Sequence, residues 1–172
     1  MVFLDVLMHF ASNIEHEKEK KMDRAKVLNR LKELLDEKKY KYDMQSEDFM
    51  VNLIFTTDDI DMNHLIIVQE KFPVVKLISR FPFKFGEDQM IYGIIAVNLI
   101  NSKIYGGFFN IETDGKIYYN NTITHDGNTM NNDQLEYLLN GANYVVDKYN
   151  DALYDLSRGS ITIKQFRERT EL

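Results

Sequence analysis

Cysteine is missing from this chain altogether, and its absence rules out disulfides, thiolate zinc sites and cysteine nucleophiles together. A cysteine-free chain fits a reducing compartment without requiring one. Tryptophan is also absent, and proline occurs only twice, at Pro73 and Pro82, near the two ends of one strand-like stretch. No Pro/Gly-rich boundary, low-complexity linker or internal repeat divides the sequence. No apolar run is long enough to span a bilayer. The run Met1–Ala11 is apolar but carries Asp5 and His9, and no basic residue precedes it, so it does not read as a signal peptide. A cytoplasmic location is expected.

What is present is a chain of 172 residues, 44% hydrophobic and 12% aromatic, which is enough to bury a core without covalent staples. The simplest partition is an apolar N-terminal segment over 1–14 followed by a single α+β domain over 15–172. The net charge is −6 and unevenly spread: residues 15–43 hold ten Lys/Arg against eight Asp/Glu, while 44–172 hold eleven against eighteen. An acidic body repels a phosphate backbone, so nucleic acid is not an expected partner, and with no run of spanning length neither is a membrane. Lys18, Lys20 and Lys21 alternate with Glu15, Glu17 and Glu19, the pattern of a solvated helix face.

Periodicity orders the elements. Val27, Leu28, Leu31, Leu34 and Leu35 make one apolar face of a helix over about 17–38. Strand patterns follow at Met50–Phe55, Leu65–Val68 and Val74–Phe81, the last with Val75, Leu77, Ser79 and Phe81 on one side and Lys76 and Arg80 on the other. Over Glu87–Ile100 the period turns helical: Met90, Ile91, Ile94, Ile95, Val97 and Ile100 are expected to share one broad helical face, although Gly93 disfavours a helix. Strands at about Ile104–Glu112 and Lys116–Ile123 flank Asp114-Gly115, which reads as a type I′ hairpin turn, and Asp126-Gly127 marks another turn. A long stripe from Leu135 to Leu156 predicts a helix with Asn131 and Gln134 as a capping box and Gly159 just past its end. A short helix after Ser160, anchored by Ile163 and Phe166, closes the chain.

Asn98 and Asn101, then Gly107-x-Phe109-x-Ile111, then Asp114-Gly115-Lys116-Ile117, and the capped helix through Tyr149 to Gly159 resemble the YbjN-like family of small bacterial proteins. The likeness runs over about residues 20–159. It implies an α+β fold of the type III secretion chaperone kind, often dimeric, in which members act as sensory or stress regulators and the chaperone relatives bind extended segments of other proteins. It brings no catalytic residue with it. Read from the residues alone, Gly106 and Gly107 suit a bulge or a close backbone approach, and Asn101 suits a cap or a bond to its own turn.

Few constellations point to chemistry. Asp59-x-Asp61-x-Asn63-x₆-Glu70 has calcium-loop spacing, but His64 stands where the loop requires glycine and both flanks read as strands rather than helices. The competing reading is a polar hairpin loop. His9, His16, His64 and His125 are scattered, and only His64 and His125, both in expected loops, have a chance to meet. Gly106-Gly107 leads into a strand, not a phosphate-binding helix, and no serine sits in a nucleophile elbow. Asp151 and Asp155 lie four apart on a helix and are expected to face water. Phe81, Phe83 and Phe85 alternate at period two and are expected under a helix, or else in an apolar groove or dimer seam.

The expected fold is therefore α+β, an antiparallel sheet packed with helices. The expected function is a non-enzymatic protein-binding module, chaperone-like or regulatory, that binds a segment of a protein partner and forms a homodimer. No catalytic, cofactor-binding or metal residue is expected, and no cofactor. The alternative is a small-ligand or calcium sensor using the Asp59–Glu70 loop.

Overall fold

The computed structural model describes residues 24–56, 61–125 and 131–172. Expectations for the apolar N-terminal segment, for the first turns of the charged helix, for His9 and His16, and for the Asp126-Gly127 turn fall outside those residues. Helix α1 covers 24–37 and is followed by strands β1 (Tyr42–Gln45), β2 (Met50–Thr56), β3 (Asp61–Val68) and β4 (Val74–Lys84). A 3₁₀ turn at Glu87–Gln89 opens helix α2 (Met90–Asn101). The hairpin of β5 (Phe108–Ile111) and β6 (Lys116–Thr124) then leads to the long helix α3 (Asn132–Ser157) and the short helix α4 (Ile163–Thr170).

The strands form a six-stranded antiparallel sheet in the order β1-β2-β3-β4-β6-β5. The first four make an antiparallel meander, in which β2, β3 and β4 answer to the three strand patterns of the sequence and β1 is an addition. The chain then crosses by α2, and the nine-residue β6 pairs with β4 while the four-residue β5 takes the edge. A short edge strand limits unwanted pairing with other chains.

Period-two alternation decides which side of the sheet is covered. Val51 and Leu53, Met62 and Ile66, Val75 and Leu77, and Ile117 and Tyr119 are buried on one face with α1, α2, α3 and α4 in one continuous core. On the other face Ile54, Arg80 and Phe108 are exposed and Ile67, Ile78 and Tyr118 half-buried, with no described helix above them. Arg24 ties α1 to the sheet: its Nε and Nη2 donate to the Val68 carbonyl at 3.1 and 2.9 Å, and its guanidinium lies 3.9 Å from the centre of the Phe49 ring.

Sequence and structure agree closely on α3. Asn131 accepts from the Gln134 amide while the Gln134 side chain accepts from the Asn131 amide, a complete capping box. At the other end Gly159 adopts φ +67°, Gly159 N–H donates to Leu156 and Ser160 N–H to Asp155, which is a Schellman motif.

Three expectations change. The Asp114-Gly115 turn is not type I′. Among the described residues, only Lys39, Phe49 and Glu171 join the glycines at positive φ, so Asp114 does not; Gly115 does, at +84°. Gly115 N–H donates to Glu112 and Glu112 N–H to Lys116, the longer hairpin with glycine at the left-handed bulge position. Strand β5 begins at Phe108 rather than Ile104, because Gly106 and Gly107 at φ +80° and +70° hold 104–107 in a loop. Helix α2 buries Gly93, Ala96, Val97 and Ile100, and exposes Ile91, Ile94 and Ile95. The small residues choose the face: a Cβ at Gly93 would stand 2.9 Å from Ile111 and from the Phe85 ring, so only a bare backbone lets α2 approach this closely.

Candidate functional site

The loop between α2 and β5 is fixed by a side chain acting as a strand. Asn101 Nδ2 donates to the Phe109 carbonyl at 2.9 Å and its Oδ1 accepts from the Phe109 amide at 2.7 Å. The amide thereby pairs with the outer edge of β5, which is more than the cap expected of it. Gly107 crosses β6 where a Cβ would lie 2.5 Å from the Asn120 carbonyl oxygen, so the close approach expected there is real. The Tyr119 hydroxyl donates to the Gly106 carbonyl at 3.1 Å.

This loop forms one wall of a cleft of about 340 Å³. Lys103, Ile104 and Tyr105 stand on the loop side; Tyr137, Gly141, Tyr144, Val145 and Lys148 stand opposite on α3; Tyr119, Asn121 and Tyr149 make the floor. The α3 residues recur at three- and four-residue steps, which places them on one stripe of the helix. Tyr105, Tyr137 and Tyr144 are 94%, 59% and 70% exposed. Burial, and secondarily the neighbouring Tyr137, pushes the Tyr119 phenol up to about 12, so it stays a neutral hydrogen-bond donor. The lining holds two ammonium groups and, among the described residues, no carboxylate.

A wider cavity of about 670 Å³ lies between β3, β4, α3 and α4, lined by Asp61, Pro82, Phe83, Asp151, Tyr154, Asp155 and Arg169. Asp155 does not simply face water: Arg169 Nη1 donates to its Oδ2 at 2.6 Å. Phe81 and Phe85 are buried as expected, whereas Phe83 is half-buried and meets Tyr154 edge-on at 5.3 Å.

The outer face of α2 is a third feature. Ile91, Tyr92, Ile94 and Ile95 are between 40% and 57% exposed, and no charged residue occurs in Met90–Asn101. A helix apolar on all sides is characteristic of one that is covered on all sides.

The calcium spacing does not become a calcium site in the described residues. Asp61 and Asn63 lie on β3, paired with β2, and Glu70 follows that strand's end. A strand rises about 3.3 Å per residue, so Asp61 and Glu70 point to opposite ends of it. Asp59 lies outside the described residues. His64 is not in a loop: it sits in the middle of β3, fully buried, with Nδ1 2.8 Å from Ser79 Oγ. His125 follows β6 and its amide donates to Pro73, several residue rows away from His64, so the two do not meet. Among the described residues no group of three or more His, Asp or Glu could hold a metal ion, and no helix is long and apolar enough to cross a membrane.

The tyrosine cleft escaped the reading of the sequence. Its signal was Tyr137, Gly141 and Tyr144, large aromatics and a mid-helix glycine on the side of α3 away from the Leu135–Leu156 stripe.

Compared with known proteins, residues 28–155 match the model of the YbjN family, described as "Putative bacterial sensory transduction regulator". Among solved structures the chain is similar to the crystal structure of YbjN from E. coli, described there as "a putative transcription regulator", with a TM-score of 0.52 and 10% sequence identity over 70% of this chain and 85% of that one. No curated protein matches the chain.

Proposed function

Because the chain belongs to the YbjN family, we propose that it is a regulatory, non-enzymatic protein-binding module that works as a cytoplasmic homodimer. The observation that carries this reading is the outer face of α2. Ile91, Tyr92, Ile94 and Ile95 form an uncharged stripe whose exposure to water is unfavourable, and covering the exposed half of one such isoleucine is worth about 1 kcal/mol. A twofold contact uses the same patch on both copies, so an uncharged stripe can meet itself without like-charge repulsion. The open face of the sheet, with Ile54, Ile67, Ile78, Tyr118 and Phe108, is left for an extended segment of a partner.

Light scattering coupled to gel filtration tests the reading. The wild-type chain is expected to run as a dimer at low and at high salt, because apolar burial is not screened. Ile95→Glu is expected to give a folded monomer whose melting temperature falls by no more than the dimer contact contributes and no longer depends on protein concentration. A wild-type monomer in both conditions contradicts the proposal, and dissociation only at high salt moves the contact to charged surface.

A further inference from the structure

We infer that the tyrosine cleft binds a small ligand joining a flat aromatic ring to an anionic group, of the nucleoside phosphate class. The inference goes beyond the protein-contact reading and does not rest on it, since the cleft shares no residue with the exposed stripe of α2.

Gly141 is the first observation. It stands inside a 26-residue helix, where glycine is less stable than alanine by about 1 kcal/mol. At Gly93 packing explains the glycine. At Gly141 a Cβ would meet nothing within 4 Å. No described neighbour requires the bare backbone, so the space above it is open, between Tyr137 and Tyr144 on the same helical stripe. That open space belongs to the cleft and gives a flat ring access to the helix backbone between two phenols.

The tyrosines are the second. Tyr105, Tyr137 and Tyr144 hold their rings largely in water around a concavity of about 340 Å³, within the usual range of small-molecule pockets. Phenol faces stack on any aromatic base, and their hydroxyls donate and accept at the rim.

Charge is the third and sets the ligand's sign. The chain as a whole carries −6, yet this cleft is bordered by Lys103 and Lys148 and, among the described residues, by no carboxylate. Neither lysine makes an ion pair with a described residue; Lys148 Nζ lies 5.6 Å from the centre of the Tyr149 ring. Two ammonium groups beside an aromatic slot complement a phosphate attached to a base. The acidic body around the cleft opposes a long polyanion, so a mononucleotide is favoured over a nucleic acid strand.

Isothermal titration of the full chain with AMP and GMP, and with adenosine, ribose 5-phosphate, inorganic phosphate and a single-stranded oligonucleotide as comparisons, tests the inference. At least one mononucleotide is expected to bind saturably with Kd below about 1 mM. Adenosine and ribose 5-phosphate are expected to bind at least roughly tenfold more weakly, because each lacks one half of the recognition. Gly141→Leu is expected to abolish binding. Gly141→Ala is expected to raise the melting temperature while weakening binding, a combination that a misfolded variant cannot give. Lys103→Ala combined with Lys148→Ala is expected to weaken mononucleotide binding and leave adenosine unaffected. No mononucleotide binding up to about 1 mM, binding that survives both Gly141 variants, or tighter binding of the oligonucleotide than of any mononucleotide would each overturn it.

Discussion

At His64, burial outweighs the nearby polar groups. The imidazole lies fully inside the sheet–helix core, where losing water disfavours its charged form and lowers its pKa from 6.5 to about 4. The Asn143 side chain nearby favours the charge slightly, but Nε2 has no well-formed hydrogen-bond partner. The unfolded chain therefore takes up a proton on this residue at a higher pH than the folded one. Stability contributed here is complete above pH 6.5 and is lost as pH falls from 6.5 toward about 4, by roughly 3 kcal/mol in total. Chemical denaturation across that range should show the loss, and His64→Gln should flatten it; an equal slope in the variant would assign the titration to other groups. The polar residues around Asp58, Asp59, Asp61 and Asn63 placed His64 in a hairpin loop between Phe55 and Leu65, and only the strand register shows it turned inward opposite Ser79. Gly115 was easier to read. Its φ of +84° and the Phe85 carbonyl oxygen, against which a Cβ would press, leave room for glycine alone. Gly115→Val is expected to destabilise by about 2 kcal/mol or more. Asn121→Ala is expected to destabilise by about 1 kcal/mol, not negligibly as for an exposed strand residue, because Asn121 is buried and its Oδ1 accepts from the Thr122 amide. Equal denaturation midpoints for the two variants would contradict this order.

Elements were legible in proportion to how one-sided they are. Helix α3 has a clear apolar stripe and explicit end signals, and both of its termini were readable to the residue. Asn131→Ala should cost about 1 kcal/mol by removing the cap, measured by thermal or chemical melting. An unchanged midpoint would mean that the α3 N-terminus is frayed in solution. Helix α2 has apolar residues all round, so periodicity could identify a helix but not its inner face. The decision lay with Gly93 and Ala96, whose small size reads as weakness in a propensity scale and acts as a docking surface in the fold. Strand β5 is short for a related reason: the two left-handed glycines delay it, and Asn101 rather than a neighbouring strand serves its outer edge. The tyrosine cleft needed all of these at once, since its walls come from a loop, a strand and a helix far apart in sequence.

On the scale of the whole molecule, the α+β class, the antiparallel sheet and the family membership were all accessible from the residues. The order β4-β6-β5 was not, because pairing across the α2 crossover leaves no local mark. Nor were the two faces proposed to carry function, since each is defined by what the fold leaves uncovered. The central claim is that the outer face of α2 meets a second copy of itself. The absence of cysteine allows this to be tested directly, because a single introduced thiol has no competitor. Ile95→Cys, at the middle of the stripe, should form a covalent dimer in high yield under mild oxidation, while Glu168→Cys on the exposed face of α4 should not. Equal cross-linking of the two variants, or none in Ile95→Cys, would contradict the account.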